Sequence, residues 1–194
     1  PHIVTNFHDE LLAENWDKTV TDDDVVWVLG DISVGGSGAQ RDALAWVKER
    51  KGRKHLIAGN HDGVHSMHRD AYRWFSEYLA VFESVQTAAR RNVPVAYDMT
   101  HVHGVSGVTQ VLLSHLPYTG EGEARFEDGF TQWRLRDEGL PLLHGHVHTD
   151  VKYTFSRNLH TPQIHVGLDA HDLRPVSLEE VSDLLEKARA GMQP

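Results

Sequence analysis

Apolar residues recur four apart at Leu12, Trp16 and Val20, with acidic residues at Asp9 and Glu10 just ahead of them. That spacing predicts an amphipathic helix over residues 9–20, packed by its Leu/Trp face and carrying the acidic first turn that a helix dipole favours. After the turn Thr21-Asp22-Asp23-Asp24, the run Val25-Val26-Trp27-Val28-Leu29 is apolar throughout and largely β-branched. It predicts a strand buried on both faces that ends at Gly30-Asp31. Gly35-Gly36-Ser37-Gly38 reads as a flexible loop. Ala43, Leu44 and Val47 then mark the inner face of a helix over residues 39–50, with Gly52 near its end. His55-Leu56-Ile57-Ala58 is the next strand, and it stops in Gly59-Asn60-His61-Asp62.

Helix, strand, helix, strand, with a polar residue after Gly at each strand end, predicts a parallel sheet of βαβ type whose ligands gather at the carboxyl edge. Tyr72, Phe75, Leu79 and Phe82, spaced by three and four, predict a helix within residues 65–82. Residues 85–108 show no helical period and read as short strands, and residues 109–114 as a strand ending at His115. Residues 119–131 are rich in Gly and Glu and read as a loop, residues 131–138 as a short helix. Leu140 to Leu143 runs into His144-Gly145-His146-Val147-His148, and residues 163–168 form another strand. Ser177-Leu178-Glu179-Glu180 is a capping box, flanked by Val176 and Val181 as a staple, and it opens a closing helix to about residue 189.

The 194 residues, 40% hydrophobic and 24% charged, suit a single domain. The net charge of −9 argues against an extended nucleic-acid surface, which needs a basic track. The one basic run, Arg50-Lys51-Gly52-Arg53-Lys54, reads as the close of a helix. No apolar run approaches the roughly 20 residues of a membrane span, so no membrane partner is expected, and a cytoplasmic location is. There is no Cys, which excludes disulfides and thiolate metal sites, but there are 15 His. An acidic protein acting on an anionic substrate needs local positive charge, and bound metal ions supply it.

The chemistry therefore concentrates at four strand ends, which deliver Asp31, Asn60 with His61, His115, and His146 with His148. A carboxylate, an amide oxygen and imidazoles suit Mn²⁺, Fe or Zn²⁺. The carboxylate is the group able to bridge two ions. His146 and His148, two apart on an extended segment, can serve two adjacent metals, or one metal through a twisted loop.

Gly30-Asp31, Gly59-Asn60-His61-Asp62, Ser114-His115-Leu116-Pro117 and Gly145-His146-Val147-His148 resemble four of the five blocks of the calcineurin-like metallophosphoesterases. The ending Val166-Gly167-Leu168-Asp169, Arg174 to Leu178, and the early helix resemble a compact bacterial and phage branch. The resemblance implies an α/β fold, a four-layer αββα sandwich of two central mixed sheets flanked by helices, with a dinuclear centre at strand ends. Asp31 would bridge two divalent ions, Mn²⁺ first and Fe or Zn²⁺ as alternatives. Asn60, His115 and His146 would complete the second site, and His148 would belong to the first. His61 would be the unligated imidazole beside the substrate, with Asp62 orienting it. The implied reaction is hydrolysis of a phosphate ester by in-line attack of a metal-bound hydroxide.

The family's first block, an Asp-x-His ending the first strand, is absent upstream of Asp31. The single Asp-x-His is Asp169-Ala170-His171, near the other end. The expectation is a chain lacking its first strand. A one-metal site, a permuted ligand pair and a noncatalytic scaffold relative are the alternatives. The expected partner is a small phosphodiester, a cyclic nucleotide among the options, or another nucleotide-like phosphate ester. Tyr118, His65 and His68 are candidates to border its pocket, with ordinary loop residues as the alternative reading.

Overall fold

The computed structural model describes residues 2–95, 107–121 and 128–192. Three parallel strands make the first sheet: β1 (Val25–Val28), β2 (Arg53–Ile57) and β3 (Ser84–Gln86), in the order β1-β2-β3. The second sheet is mixed. Its order is β4-β5-β6-β8-β7, from β4 (Ala88–Val95), β5 (Gly107–Ser114), β6 (Leu142–His144), β7 (Tyr153–Phe155) and β8 (Pro162–His165). β5, β6 and β8 run parallel, and β4 and β7 are antiparallel edges.

Strand alternation assigns each face of the first sheet to a different layer. Leu56 and Ala58 turn with Val28 toward α2 (Ser37–Lys48) and α3 (Phe75–Leu79), where Leu44, Val47, Tyr78 and Phe82 complete one core. Ile57 turns the other way, with Trp27 and Leu29 packed beside it, and joins Val111, Leu113, Leu143 and Ile164 of the second sheet. The same core continues to Val181, Leu184 and Leu185 of α4 (Leu178–Arg189). Helices, sheet, sheet and helix are therefore the four layers. The first helix, α1 (His2–Thr19), starts seven residues earlier than its apolar stripe predicts. It is tied down by Trp16, whose Nε1 donates to the Lys51 carbonyl.

The basic run follows the end of α2 at Lys48 and leads into β2, which contains Arg53 and Lys54. Arg50 pairs with Asp17 at 2.9 Å, Lys51 donates to the Asp17 carbonyl, and the buried Lys54 ammonium caps the Arg50 and Gly52 carbonyls.

Three expectations are corrected. β1 is not buried on both faces: it is the outer strand of its sheet, and Val25 is 47% exposed. Trp27 is covered by the stacked His55 ring and the Arg91 guanidinium instead. The helix expected over residues 65–82 is a chain of i→i+3 turns through Asp62, His65, His68 and Ala71, followed by the single turn and a half of α3. Tyr72, Phe75 and Leu79 are exposed, and burial falls on Tyr78 and Phe82. The helix expected over residues 131–138 is one 3₁₀ turn, Thr131–Trp133. The parts of the strand and loop expectations that fall on residues 96–106 and 122–127 lie outside the described residues.

The capping box forms as predicted: the Ser177 side chain accepts from the Glu180 amide, and the Glu180 carboxylate accepts from the Ser177 amide at 3.0 Å. Arg174 grips the same carboxylate through both terminal nitrogens, and it is the main cause that holds Glu180 down at about 2 from 4.5. A folded value below the unfolded one means that this stabilisation is complete above about pH 4.5 and disappears as pH falls toward 2. Both side chains are about a third exposed, so solvent screening leaves about 1 kcal/mol. Acid titration of Tm should show Glu180→Gln less stable than wild type at pH 7, with the gap closed near pH 2.

Candidate metal centre

Two glycines bring the first two strand ends into contact. A Cβ on Gly30, whose φ is +86°, would lie 2.3 Å from the Gly59 amide nitrogen, and a Cβ on Gly59 would lie 2.2 Å from Asp31 Oδ1. Only two glycines allow the loops to touch this closely. Asp31 itself is left-handed, with φ +54°, a conformation that Asp tolerates better than most residues and that recurs at functional sites.

Asp62 holds this arrangement from below. Fully buried, its carboxylate accepts from the amides of Gly59 at 2.7 Å, Asp31 at 2.9 Å and Ile32 at 3.1 Å, and lies 3.4 Å from the Tyr78 hydroxyl. Burial pushes its pKa up, against the pull of those amides. The expectation that Asp62 orients the His61 imidazole is therefore corrected. Both oxygens are committed inward, and the residue is a clamp between the two loops. His61 points the other way: its side chain is exposed, while its amide donates to Asp31 Oδ1 at 2.8 Å.

On the other side of Asp31, Oδ2 lies 3.1 Å from His115 Nε2, and His115 Nε2 lies 3.3 Å from His146 Nδ1. One ligand atom from each of Asp31, His115 and His146 falls within 4.8 Å of the others. The far side of each ring is occupied. His115 Nδ1 meets the Leu29 carbonyl at 2.6 Å, and His146 Nε2 meets Glu121 Oε2 at 2.9 Å. With its one proton on the outer nitrogen, where a carbonyl or carboxylate accepts it, a neutral ring presents its inward nitrogen as a lone pair; His115, whose inward Nε2 also faces the Asp31 carboxylate, can hold a second proton there when no metal is bound.

Three electron-pair donors thus converge with no hydrogen between them, an arrangement that needs a cation. In the metal-free protein a proton can serve. Burial is the largest single influence and works against the charged His115, but the hydrogen bond and charge of Asp31, with the Leu29 carbonyl and Asp62, together raise its pKa, and Asp31 is lowered in return. Asn60, in the turn between Gly59 and His61, is 7% exposed, and its Oδ1 is buried without a hydrogen-bond partner. An orphaned amide oxygen in the loop that touches Asp31, together with a carboxylate and two imidazoles, is a donor set that suits a divalent ion of borderline-to-hard character.

His148 is not brought to this cluster. It is exposed, and its Nδ1 lies 3.0 Å from Asp169 Oδ2. The left-handed turn at His146, φ +66°, sends the two imidazoles in different directions. His171 is buried against the His165 carbonyl, which removes the permuted Asp-x-His pair as a joint ligand set. Of the residues expected to border a pocket, His68 does so. His65 is buried with its Nδ1 accepting from the Met67 amide, and Tyr118 is buried with its hydroxyl on the Leu140 carbonyl.

Beyond Asn60 and His61 a cavity of about 520 Å³ opens, lined also by Gly35, Gly36, His68, Arg69 and Trp74. Sequence reasoning did not find Glu121 or Arg134, because both lie in irregular chain whose pairing leaves no period to read. Among the described residues no helix is long and apolar enough to cross a membrane.

The family model for calcineurin-like phosphoesterases matches residues 2–150. The chain belongs to that family. Two phage relatives accompany the match. The Gene 66 protein of Mycobacterium phage L5 is 51% identical over 178 residues, covering 92% of this chain and 81% of the relative. That of Mycobacterium phage D29 is 50% identical over 186 residues, covering 95% and 86%. The crystal structure of AQ665, a protein of unknown function from Aquifex aeolicus, superposes with a TM-score of 0.54 at 21% identity. It covers 91% of this chain and 84% of its own, a likeness of fold alone. Family membership agrees with a metal-dependent phosphoesterase fold, and the motif glycines explain how that fold brings its ligands together.

Proposed function

We propose that the protein hydrolyses a small phosphodiester, with cyclic nucleotides and phosphomonoesters within the same chemistry, using divalent metal held by Asp31, Asn60, His115 and His146. The observation that carries this reading is the convergence of Asp31 Oδ2, His115 Nε2 and His146 Nδ1, and the unpartnered Asn60 oxygen, in the loop held to Asp31 by the His61 amide, supports it. When bound, divalent ions supply Lewis acidity toward phosphoryl oxygens and a strong nucleophile at neutral pH. Mn²⁺ is the ion of choice, and Fe or Zn²⁺ would satisfy the same ligands. The reading would assign a second ion to Asp31 and His148. Asp169 must then release His148, to which it is now hydrogen-bonded.

The chain's own residues divide the remaining work. His61, exposed and fixed through its amide to Asp31, donates a proton to the leaving oxygen. The adjoining cavity accepts the organic group of the ester. Its volume of about 520 Å³ is of the size of a mononucleotide-like ligand, and its lining includes Arg69, which is paired with Asp70 at 2.9 Å.

Hydrolysis of bis(p-nitrophenyl) phosphate with Mn²⁺ tests the reading. His61→Ala should lower kcat by about 10² to 10⁴-fold with metal content nearly unchanged. Loss of metal in that variant would contradict the role of His61. A wild-type protein that binds Mn²⁺ and cleaves no phosphate ester would instead be the noncatalytic scaffold relative.

A further inference from the structure

The Glu121 side chain is 5% exposed, although the residue belongs to no helix or strand. Its Oε2 faces His146 Nε2 at 2.9 Å, and its Oε1 takes the Arg134 guanidinium and the Gly129 amide, the latter at 3.1 Å. Arg134, also 5% exposed, is anchored in turn on two backbone carbonyls, Gly129 at 2.9 Å and Pro117 at 2.6 Å. Pro117 is two residues beyond His115. Phe130, itself left-handed, closes the other side of the His146 ring edge-on. A carboxylate taken out of water needs such partners, and both Glu121 oxygens have them.

We infer that Glu121, braced by Arg134, is a positioning residue that fixes His146 as its Nε2–H tautomer and so presents Nδ1 to the metal. The inference rests on the metal reading above and goes beyond it, since neither residue belongs to the four motif blocks. The geometry leaves few alternatives for the ring. A carboxylate cannot donate, so the proton of the shared bond belongs to His146 Nε2, and Nδ1 is left as the lone pair aimed at His115 and Asp31. Without the carboxylate the ring could reverse its tautomer or rotate about χ2, and a proton on Nδ1 would block coordination. The brace also couples the two histidine ligands through one cation, because Arg134 spans from the chain just after His115 to the carboxylate on His146. Outer partners of this kind change metal affinity by about 10- to 100-fold when removed.

Two measurements on the full chain test this. Isothermal titration with Mn²⁺ should show Glu121→Ala weaker than wild type by about 10- to 100-fold, and Glu121→Gln, whose amide oxygen still accepts from Nε2–H, within several-fold of wild type. ¹⁵N imidazole NMR of the metal-free protein should show His146 as Nε2–H in wild type and Glu121→Gln, and shifted toward Nδ1–H in Glu121→Ala. Equal Mn²⁺ affinity in Glu121→Ala and wild type, or a His146 tautomer that is Nδ1–H in wild type, overturns the inference. Wild type with no measurable Mn²⁺ affinity is a different failure: it removes the metal reading itself. Should Glu121→Ala not fold, the wild-type tautomer and the conservative variant still decide.

Discussion

Asp31→Ala is expected to abolish divalent-metal binding and to lower phosphate-ester hydrolysis by at least about 10³-fold, since Lewis-acid and nucleophile activation by metal are worth several kcal/mol. The reason lies in how many partners that carboxylate serves. Oδ2 is the point against which His115 is set, and Oδ1 holds the His61 amide. Removing it takes away an anionic ligand and frees the loop that carries both Asn60 and His61. Asp31→Asn separates the two contributions. The isostere can keep the amide contact through its oxygen, so the fold should persist with a Tm near wild type while Mn²⁺ affinity falls. Unchanged metal content in either variant would remove Asp31 from the centre.

Asp62→Ala is expected to act on the fold rather than on the chemistry. Three backbone amides, from Gly59, Asp31 and Ile32, would lose their acceptor at a site with no water access, at roughly 1 to 3 kcal/mol for each buried donor left unpaired. A loss of about 3 kcal/mol or more corresponds to a Tm lower by about 6 to 12 °C for a chain of this size. Activity should fall because Asp31 is no longer held in its left-handed conformation. Thermal unfolding and the pH-rate profile distinguish this from a catalytic role. A variant with wild-type Tm and a reduced kcat would restore Asp62 to the reaction and contradict the clamp.

What the sequence made legible was where each strand stops. Gly30-Asp31 and Gly59-Asn60 are readable because two backbones can meet there only through glycine, and that constraint is written in residue type. Ser177 and Glu180 are readable for a similar reason, since both halves of their interaction lie within four residues. Side-chain direction was not readable. Asp62 follows His61 directly, yet the turn points one into the protein and the other to solvent, and adjacency carries no information about that. His146 and His148 diverge for the same reason, through a left-handed residue that no motif announces.

The failure over residues 65–82 has a different origin. Apolar residues at three and four spacing usually mark a buried face, but here Tyr72, Phe75 and Leu79 are exposed, and a succession of turns positions His65 and His68 around the second loop. β7 was missed because three residues are too few to show a period. Glu121 and Arg134 were missed because their roles come from contacts 25 residues away in sequence for Glu121 and His146, and 17 for Arg134 and the Pro117 carbonyl.

The most direct test of the account is anomalous diffraction from crystals of the protein soaked in Mn²⁺. The account predicts a manganese peak bounded by Asp31 Oδ2, Asn60 Oδ1, His115 Nε2 and His146 Nδ1. No peak at that position, with manganese bound elsewhere or not at all, would contradict it.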